Sequence, residues 1–177
     1  MHELGVENLR NAIVEQAVND YCITVRHIAK LNMKCYAINK IVKEGKKRHY
    51  LKDWTLEEAE QERAKRQMLN EAKINQLERF FFSEWYKNIC AIDSDYILKA
   101  TKEKAVDDMV EKCINDLRKV KDKNINTKVS QKRLLEFEIL KNFLFSEYLH
   151  RFTEKDARSI LKYIKEKTNC KHCDFFV

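Results

Sequence analysis

The chain has 177 residues, of which 44% are hydrophobic, enough to bury the core of one domain or of two small units. It has no proline and only two glycines, Gly5 and Gly45. Because hairpin turns and phosphate-cradling loops depend on these residues, the composition favours an all-α fold and argues against dinucleotide-binding folds and P-loop nucleotide sites. The net charge of +7 permits binding to phosphate-rich or acidic partners, but a solvated lysine-rich surface explains it equally well.

Targeting signals are missing from the printed sequence. The N-terminal segment has no uninterrupted apolar run of the kind found in secretory signals, and no stretch approaches the roughly 18 apolar residues of a membrane span. We therefore expect a cytoplasmic protein without a membrane partner. In that compartment the six cysteines are expected to be reduced thiols rather than a disulfide framework.

Two helices are predicted in the first part of the chain. Apolar residues recur every three or four positions over residues 6–31, which indicates one face of a helix. A shorter pattern over residues 35–42 predicts a second helix that ends at Gly45, where a left-handed C-terminal cap is common. Asn32 is the expected break between the two.

A basic segment follows, in which cations are interleaved with aromatic rings. This composition suits nucleic acid, because cations can contact phosphates while rings stack on bases. The alternative is that Trp54 packs at the start of the next helix and the lysines are only solvated. The candidate nucleic-acid or partner contacts in this segment are Lys46, Lys47, Arg48, His49, Tyr50, Lys52 and Trp54.

A long helix is predicted over residues 56–89, because Thr55 and Glu58 have the spacing of a capping box. Its first three turns are nearly all charged, so we expect them to project from the body of the protein. Apolar residues return from Met68 onward, where we expect the helix to enter the core. The candidate partner contacts in the charged turns are Arg63 and Arg66.

The next predicted helix begins at Asp93 or Ser94 and continues to Leu117. A polar stretch with the asparagines of a loop follows, and we place the boundary between two helical units there, with one unit at 1–117 and the other at 118–177. This stretch supplies a second group of candidate contacts, namely Arg118, Lys119, Lys121, Lys123, Lys128, Lys132 and Arg133. Two more helices are predicted, over residues 130–151 and 153–168, the latter starting at Thr153 with Asp156 at its third position.

Residues 77–105 recur at 140–168 with a constant offset of 63 and no gap. Twelve of the 29 aligned positions are identical. This self-similarity predicts a tandem duplication of one helical unit, with residues 33–76 inserted in the first copy. We expect a bundle of five to seven helices whose two units pack through Phe80, Phe81, Trp85, Phe143, Phe145 and Tyr148.

The strongest metal-like pattern is the pair Cys170 and Cys173 with His172 between them, since two thiolates at this spacing can hold one tetrahedral zinc ion. The pair is only half of a site, and further ligands are within reach only if the tail folds back. Those further ligands would be Cys90, Cys113 and His150. We expect no cofactor and no metal, with a zinc-stabilised helical protein as the alternative.

Ser83–Glu84 and Ser146–Glu147 place a hydroxyl beside a carboxylate at equivalent positions of the repeat. A serine nucleophile also needs a base and an oxyanion hole, and no histidine is repeated with these residues. They are better explained as packing and surface residues of a helix, and Asp93 and Asp156 as residues at helix starts. Without any enzyme motif, we expect a protein that is not an enzyme, with no catalytic residue.

Three segments together resemble a group of short hypothetical proteins encoded by phages and prophages of Firmicutes. They are AIVEQAVNDY at 12–21, RFFFSEWY at 79–86 and DSDYIL at 93–98. Residues 33–76 and the second unit depart from the short form. The resemblance implies a mobile-element origin and a bacterial host cell. By analogy it implies a helical protein that binds and blocks a host nucleic-acid machine, such as an anti-CRISPR inhibitor of a CRISPR effector nuclease. A DNA- or RNA-binding accessory protein of phage replication or transcription is the alternative.

Overall fold

The computed structural model describes residues 2–47, 54–121 and 127–168, which contain helices and connecting turns but no strand. The predicted all-α class is confirmed. Eight helices lie in the described ranges rather than the expected five to seven, because each aromatic helix is interrupted once. They are α1 (His2–Asn32), α2 (Lys34–Lys47), α3 (Leu56–Phe81), α4 (Glu84–Ile89), α5 (Ser94–Lys121), α6 (Lys128–Leu144), α7 (Leu149–Phe152) and α8 (Ala157–Thr168).

The chain divides into two compact units, Met1–Lys102 and Glu103–Val177. The division falls inside α5, so one continuous helix contributes its first turns to the first unit and the rest to the second. The sequence analysis placed the boundary later, in the polar stretch that follows Leu117. Helices α1 to α4 belong to the first unit, and α6 to α8 belong to the second.

The predicted first helix and its end at Asn32 are confirmed by α1. The predicted helix end at Gly45 is wrong, because α2 continues to Lys47. Three buried residues of α2, Ala37, Ile41 and Gly45, recur every four positions. Gly45 therefore extends the face of α2 that packs on α1 and α3 instead of capping the helix.

The predicted capping box at the start of α3 is confirmed. The Thr55 hydroxyl oxygen accepts from the backbone N–H of Glu58 at 3.2 Å, and the Thr55 N–H donates to the Glu58 carboxylate at 3.0 Å. The expectation that the charged turns project is wrong. Ala59 is fully buried, and Glu60 pairs with Lys34 of α2 at 2.8 Å. These turns pack because their charges are matched by partners on neighbouring helices.

The position at which α3 enters the core also differs from the prediction. Met68 and Leu69 are exposed, whereas Ile74 and Phe81 are fully buried. The hydrophobic pattern alone did not distinguish the two faces, because α3 lies against both α1 and α2 and leaves part of its apolar surface uncovered.

The single helix predicted over residues 56–89 is wrong, since α3 ends at Phe81 and α4 begins at Glu84. The Ser83 side chain explains the break. Its hydroxyl donates to the Phe80 carbonyl at 2.7 Å and accepts from the Tyr86 N–H at 3.1 Å, so it closes α3 and caps α4. The helix predicted over 130–151 is also interrupted, because α6 ends at Leu144. The Ser146 hydroxyl donates to the Phe143 carbonyl at 2.7 Å, but no side chain caps α7.

The start of α5 at Ser94 confirms the prediction, and Asp93 accepts from the backbone N–H of Tyr96 at 3.0 Å. The predicted start of the last helix at Thr153 is wrong. Thr153 is extended and buried, and α8 begins at Ala157. Asp156 is the capping residue there, since its carboxylate accepts from the Ser159 N–H at 3.0 Å. The Ser159 hydroxyl, followed by backbone N–H groups, holds the pKa of Asp156 below its usual value.

In the first unit, Ala17, Phe81 and Tyr86 form a buried cluster on which Ile97 and Leu98 of α5 pack. The expected packing of Trp85 and Phe145 is wrong, because these side chains are 48% and 58% exposed. Each lies next to a helix break, and the change of direction after Phe81 turns Tyr86 inward instead of Trp85. The large buried residues of the second unit include Phe137, Phe143, Leu149, Phe152 and Ile164.

Candidate nucleic-acid and partner interface

Most of the predicted basic segment lies outside the described residues. This applies to Arg48, His49, Tyr50 and Lys52, and to the side chains of Lys46 and Lys47, whose backbones end α2. Trp54 is described and is partly buried, directly before the capping residue Thr55. Its position fits packing at the start of α3, and its role in nucleic-acid binding stays a prediction.

Arg63 connects helices instead of facing solvent. Its guanidinium Nη1 donates to the Leu31 carbonyl at the end of α1 at 3.2 Å, and Nη2 lies 3.1 Å from the Glu60 carboxylate. The side chain is only 15% exposed. Hydrogen bonds from Lys34 and Arg63 in turn hold the pKa of Glu60 below its usual value. Arg63 is therefore poorly placed to contact a phosphate.

Arg66 is also held by carboxylates within the first unit. Its Nε lies 2.7 Å from Glu62 on the same helix, and its Nη1 lies 3.1 Å from Glu44 of α2. The side chain therefore lies across α2 and α3 and does not extend outward from a projecting helix.

In the second unit, two contacts set α8 beside α5. The Lys155 ammonium, just before α8, lies 2.8 Å from the Asp107 carboxylate. At the other end of α8, Arg118 donates from Nε to the Lys167 carbonyl at 3.1 Å. The two helices therefore run in the same direction, and the C-terminal end of α8 lies beside the C-terminal part of α5.

Two ion pairs set α6 antiparallel to α5. Lys112 lies 3.0 Å from Glu136, and Arg133 lies 3.7 Å from Asp116. The start of α6 therefore lies at the same end of the unit as the end of α5. Arg133 is mostly buried by this arrangement, which removes it from the candidate surface contacts.

Exposed cations collect where these three helix ends meet. We call this surface the basic end of the second unit, and its described members are Arg118, Lys119, Lys128, Lys132 and Lys167. Among the residues that the structure describes, Lys119, Lys128 and Lys132 form no ion pair. The side chains of Lys121 and Lys123 lie outside the described ranges. Sequence reasoning missed Lys167, because only the packing of α8 on α5 brings it to the other cations.

A second surface was not predicted. Within residues 82–96 of the first unit, four large apolar side chains are 46% to 70% exposed. We call this group of residues the exposed corner, and its members are Phe82, Trp85, Ile92 and Tyr96, which lie on α4, beside it and at the start of α5. The Trp85 ring lies 5.6 Å from that of Phe80, which positions it.

Tyr86 fixes the shape of the exposed corner from inside. Its ring is fully buried, and its hydroxyl donates to the Ile92 carbonyl at 3.1 Å, which ties α4 to the turn before α5. Burial, together with Cys90 and Asp93, raises the pKa of the Tyr86 hydroxyl. The sequence signal that could have revealed the corner is the hydroxyl of Ser83 directly after an aromatic run, because a capping side chain there changes the helical register.

The repeated serines have structural roles in the described chain. The Ser83 hydroxyl donates its proton to a backbone carbonyl, and Glu84 beside it pairs with Lys87 at 2.8 Å. Ser146 repeats the bond to a carbonyl. These contacts give both serines a structural role at a helix break: Ser83 caps α4, whereas Ser146 bonds the Phe143 carbonyl and caps no helix.

Cysteine chemistry is partly described. Cys22, Cys35, Cys90 and Cys113 form no disulfide. No group of three or more His, Cys, Asp or Glu side chains that could hold a metal occurs in residues 2–47, 54–121 and 127–168. The possible zinc ligands Cys170, His172 and Cys173 lie outside those ranges, so a zinc site there stays a hypothesis.

No helix in the described part of the chain is long and apolar enough to cross a membrane. No protein-family model, curated protein or solved structure matches the chain. Function is therefore inferred from the two exposed surfaces and from the resemblance to short phage proteins.

Proposed function

We propose that this chain is a non-enzymatic phage or mobile-element protein that binds and blocks a host nucleic-acid machine, such as a CRISPR effector nuclease. The observation that carries the proposal is the exposed corner. Tryptophan and tyrosine dominate the binding energy of many protein interfaces, and Trp85 and Tyr96 are 48% and 70% exposed. Such a surface suits a protein partner better than bare nucleic acid.

We further propose that the two units arose by tandem duplication. At the offset of 63, α3 and α6 end at Phe81 and Leu144, and α5 and α8 begin at Ser94 and Ala157. The bond from a serine hydroxyl to a phenylalanine carbonyl recurs at the same offset. These coincidences of local structure support a repeated unit of an opening helix, an aromatic helix, a short helix and a capped closing helix.

The repeat also strengthens the case for the exposed corner. The positions equivalent to Ile92 and Tyr96 are Lys155 and Ser159, both polar and both exposed. The second unit folds locally in the same way without apolar residues at these positions, so folding does not require them. We propose that Ile92 and Tyr96 are apolar because they bind a partner. The contrast applies to these two positions only, since the position equivalent to Phe82 is Phe145, which is also apolar and is 58% exposed.

The basic end of the second unit defines how such a protein would act on its target. A positively charged surface cannot imitate DNA inside the cationic groove of a nuclease. It is suited instead to the phosphates of a guide or target strand that the machine already holds. Occlusion would then result from the exposed corner on protein and the basic end on nucleic acid.

A second candidate function is that of a DNA- or RNA-binding accessory protein of phage replication or transcription. Lys119, Lys128 and Lys132, which are exposed and form no ion pair with any residue that the structure describes, favour it. With about five phosphate contacts from the basic end, the logarithm of the duplex affinity should fall with the logarithm of salt concentration with a slope of about −4 to −5.

One experiment separates the two functions. Binding of the purified chain to a labelled duplex is measured across a salt series, and cleavage by a guide-loaded CRISPR nuclease is measured with and without the chain. Trp85→Ala with Tyr96→Ala tests the exposed corner, and Lys119, Lys128 and Lys132 changed to Gln test the basic end. Leu56→Ala, which removes a 75% exposed apolar side chain elsewhere in the first unit, is the matched control.

We expect inhibition of cleavage that is lost in the corner variant and retained in the Leu56→Ala control. Inhibition that survives the corner variant would overturn the proposed partner surface, and no effect on any effector nuclease would overturn the inhibitor function. Tight, salt-steep binding to the duplex alone, abolished in the basic-end variant, would establish the accessory function instead.

A further inference from the structure

A groove of about 250 Å³ lies between α1, α2 and α3 of the first unit, and none of its lining residues belongs to the exposed corner or the basic end. Its floor is apolar and includes Leu31, Ala37 and Ile41, of which the last two are buried in the core. Because the walls belong to three helices that pack on one another, the groove is part of the folded unit and not of a loop.

Cationic side chains from all three helices line this groove. Lys30 comes from α1, Lys40 comes from α2 and Arg66 comes from α3, and His27 of α1 also lines the groove. The described lining residues include no carboxylate. Glu44 lies just outside and pairs with Lys40 at 3.7 Å and with Arg66 at 3.1 Å, which holds both cations in place.

Arg66 keeps free donors for a ligand. Its Nε and Nη1 are used by Glu62 and Glu44, whereas its Nη2 makes no bond among the described residues. A guanidinium nitrogen with fixed orientation is a strong donor to a phosphate oxygen, since charge-assisted hydrogen bonds are the strongest of their kind. Tyr36 and Asn70 add further polar groups to the lining.

His27 reports the sign of the electrostatic potential in the groove. Partial burial lowers the pKa of His27, and the neighbouring positive charges lower it further. Those charges belong to Lys30, Lys40, Lys73 and Arg26. An anion in the groove would reverse this effect and raise the pKa of His27.

We propose that this groove binds a nucleotide, with the phosphate against Lys30, Lys40 and Arg66 and the base over the apolar floor beside Tyr36. Ligand sites typically combine an apolar floor with a few convergent polar groups, as here. The volume is just below the usual range for such sites, which suits a mononucleotide rather than a dinucleotide. Side-chain cations take the role that glycine-rich loops have elsewhere, so the scarcity of glycine does not exclude this site.

The test follows the His27 ring by NMR while the full chain is titrated with inorganic phosphate, AMP or a 5′-phosphorylated oligonucleotide. AMP should raise the pKa of His27 and bind at least about tenfold more tightly than phosphate, because only AMP covers the apolar floor. Lys30→Gln and Lys40→Gln should each weaken AMP binding by about tenfold, the usual effect of losing one charge-assisted contact. Lys43→Gln is the matched control, since Lys43 is exposed on α2 and does not line the groove.

Equal binding of phosphate and AMP would overturn the proposal and indicate an adventitious ion only. Equal loss in the Lys40→Gln and Lys43→Gln variants would overturn it as well, because the effect would then come from overall charge. Tighter binding of the oligonucleotide than of AMP would support the site and identify a strand end as the source of the nucleotide, whereas equal binding would support a free nucleotide. The proposed inhibitor function depends on other surfaces, so it can fail or succeed independently of this result.

Discussion

Substituting Arg63 tests whether a cation stabilises the fold or binds a partner. Replacing it with alanine removes two hydrogen bonds, one to the Leu31 carbonyl at 3.2 Å and one to Glu60 at 3.1 Å. We expect Arg63→Ala to destabilise the first unit and to leave the duplex affinity unchanged. Lys132→Ala, in the exposed basic end, should have the opposite pattern.

The size of the effect follows from the surroundings of the guanidinium. A hydrogen bond to a charged group contributes about 1.5–3 kcal/mol, and this applies to the bond that joins α3 to α1. The Glu60 pair adds little, since Lys34 remains 2.8 Å from Glu60 in the variant. Nε of Arg63 is buried without a hydrogen-bond partner among the described residues, which is unfavourable. Removing this unpaired donor should regain about 1 kcal/mol of the stability lost with the bond to Leu31. The net loss should be about 0.5–2 kcal/mol, or roughly 1–8 °C in Tm for a chain of this size.

The assay combines urea unfolding, followed by circular dichroism at 222 nm, with duplex binding by fluorescence anisotropy. Lys65→Ala is the matched control, because Lys65 is an exposed cation on the same helix. Unchanged stability in Arg63→Ala together with a loss of affinity as large as that of Lys132→Ala would refute the assignment of Arg63 to helix packing.

Two further predictions concern Tyr86 and the C-terminal cysteines. Tyr86→Phe leaves the Ile92 carbonyl without its donor and should cost about 1 kcal/mol at pH 7, measured by urea unfolding. Because the pKa of Tyr86 is raised in the fold, the stabilisation from its protonated hydroxyl is fully present below the unfolded pKa of about 10 and is lost as pH rises above it. The difference in unfolding free energy between the parent chain and Tyr86→Phe should therefore shrink near about pH 10.5. A larger difference at that pH would contradict this reasoning. The full chain should contain no stoichiometric zinc by mass spectrometry and keep its helical signal in a chelator; bound zinc that is lost in Cys170→Ser or Cys173→Ser would favour the zinc-stabilised alternative.

Local signals in the sequence were sufficient for the elements whose ends are fixed by their own residues. The capping box of Thr55 and Glu58 and the cap at Asp93 are examples, because each depends on side chains within three positions. The helix break at Ser83 was missed although its partners are equally close. Aromatic residues with helical spacing continue on both sides of Ser83, so the hydrophobic pattern predicted one continuous helix in spite of the serine.

Which side chains are exposed on the surfaces depends on contacts between residues far apart in the sequence. Arg63 was predicted to face solvent, but its partner Leu31 lies on another helix. Lys167 joins the basic end only because Arg118 binds its carbonyl across 49 positions of the chain. The composition of a segment therefore predicted the presence of cations, and only packing determined which of them are available to a partner.

The two repeated serines offer a direct test of the proposed duplication. Ser83 makes two bonds, to the Phe80 carbonyl and from the Tyr86 N–H, whereas Ser146 makes only the bond to the Phe143 carbonyl among the described residues, and α7 has no side-chain cap. Replacing the capping residue Ser83 with alanine should cost about 0.5–2 kcal/mol. Ser146→Ala removes one hydrogen bond to a carbonyl and should cost about 0.5–1.5 kcal/mol. Both substitutions should therefore destabilise the chain, with Ser83→Ala the more damaging.

Urea unfolding of the two single variants and of the double variant measures this ordering. Because the two serines share no hydrogen-bond partner among the described residues, their costs should add within about 0.5 kcal/mol, and a larger coupling would mean that the two breaks are not independent. Ser94→Ala is a suitable control, because Ser94 lies outside both helix breaks. Ser159→Ala is unsuitable, because the Ser159 hydroxyl donates to Asp156. A neutral Ser146→Ala beside a costly Ser83→Ala would mean that the second break is held by packing alone. The matching serines would then be no support for a repeated unit, and the proposed duplication would depend only on sequence identity and helix bounds.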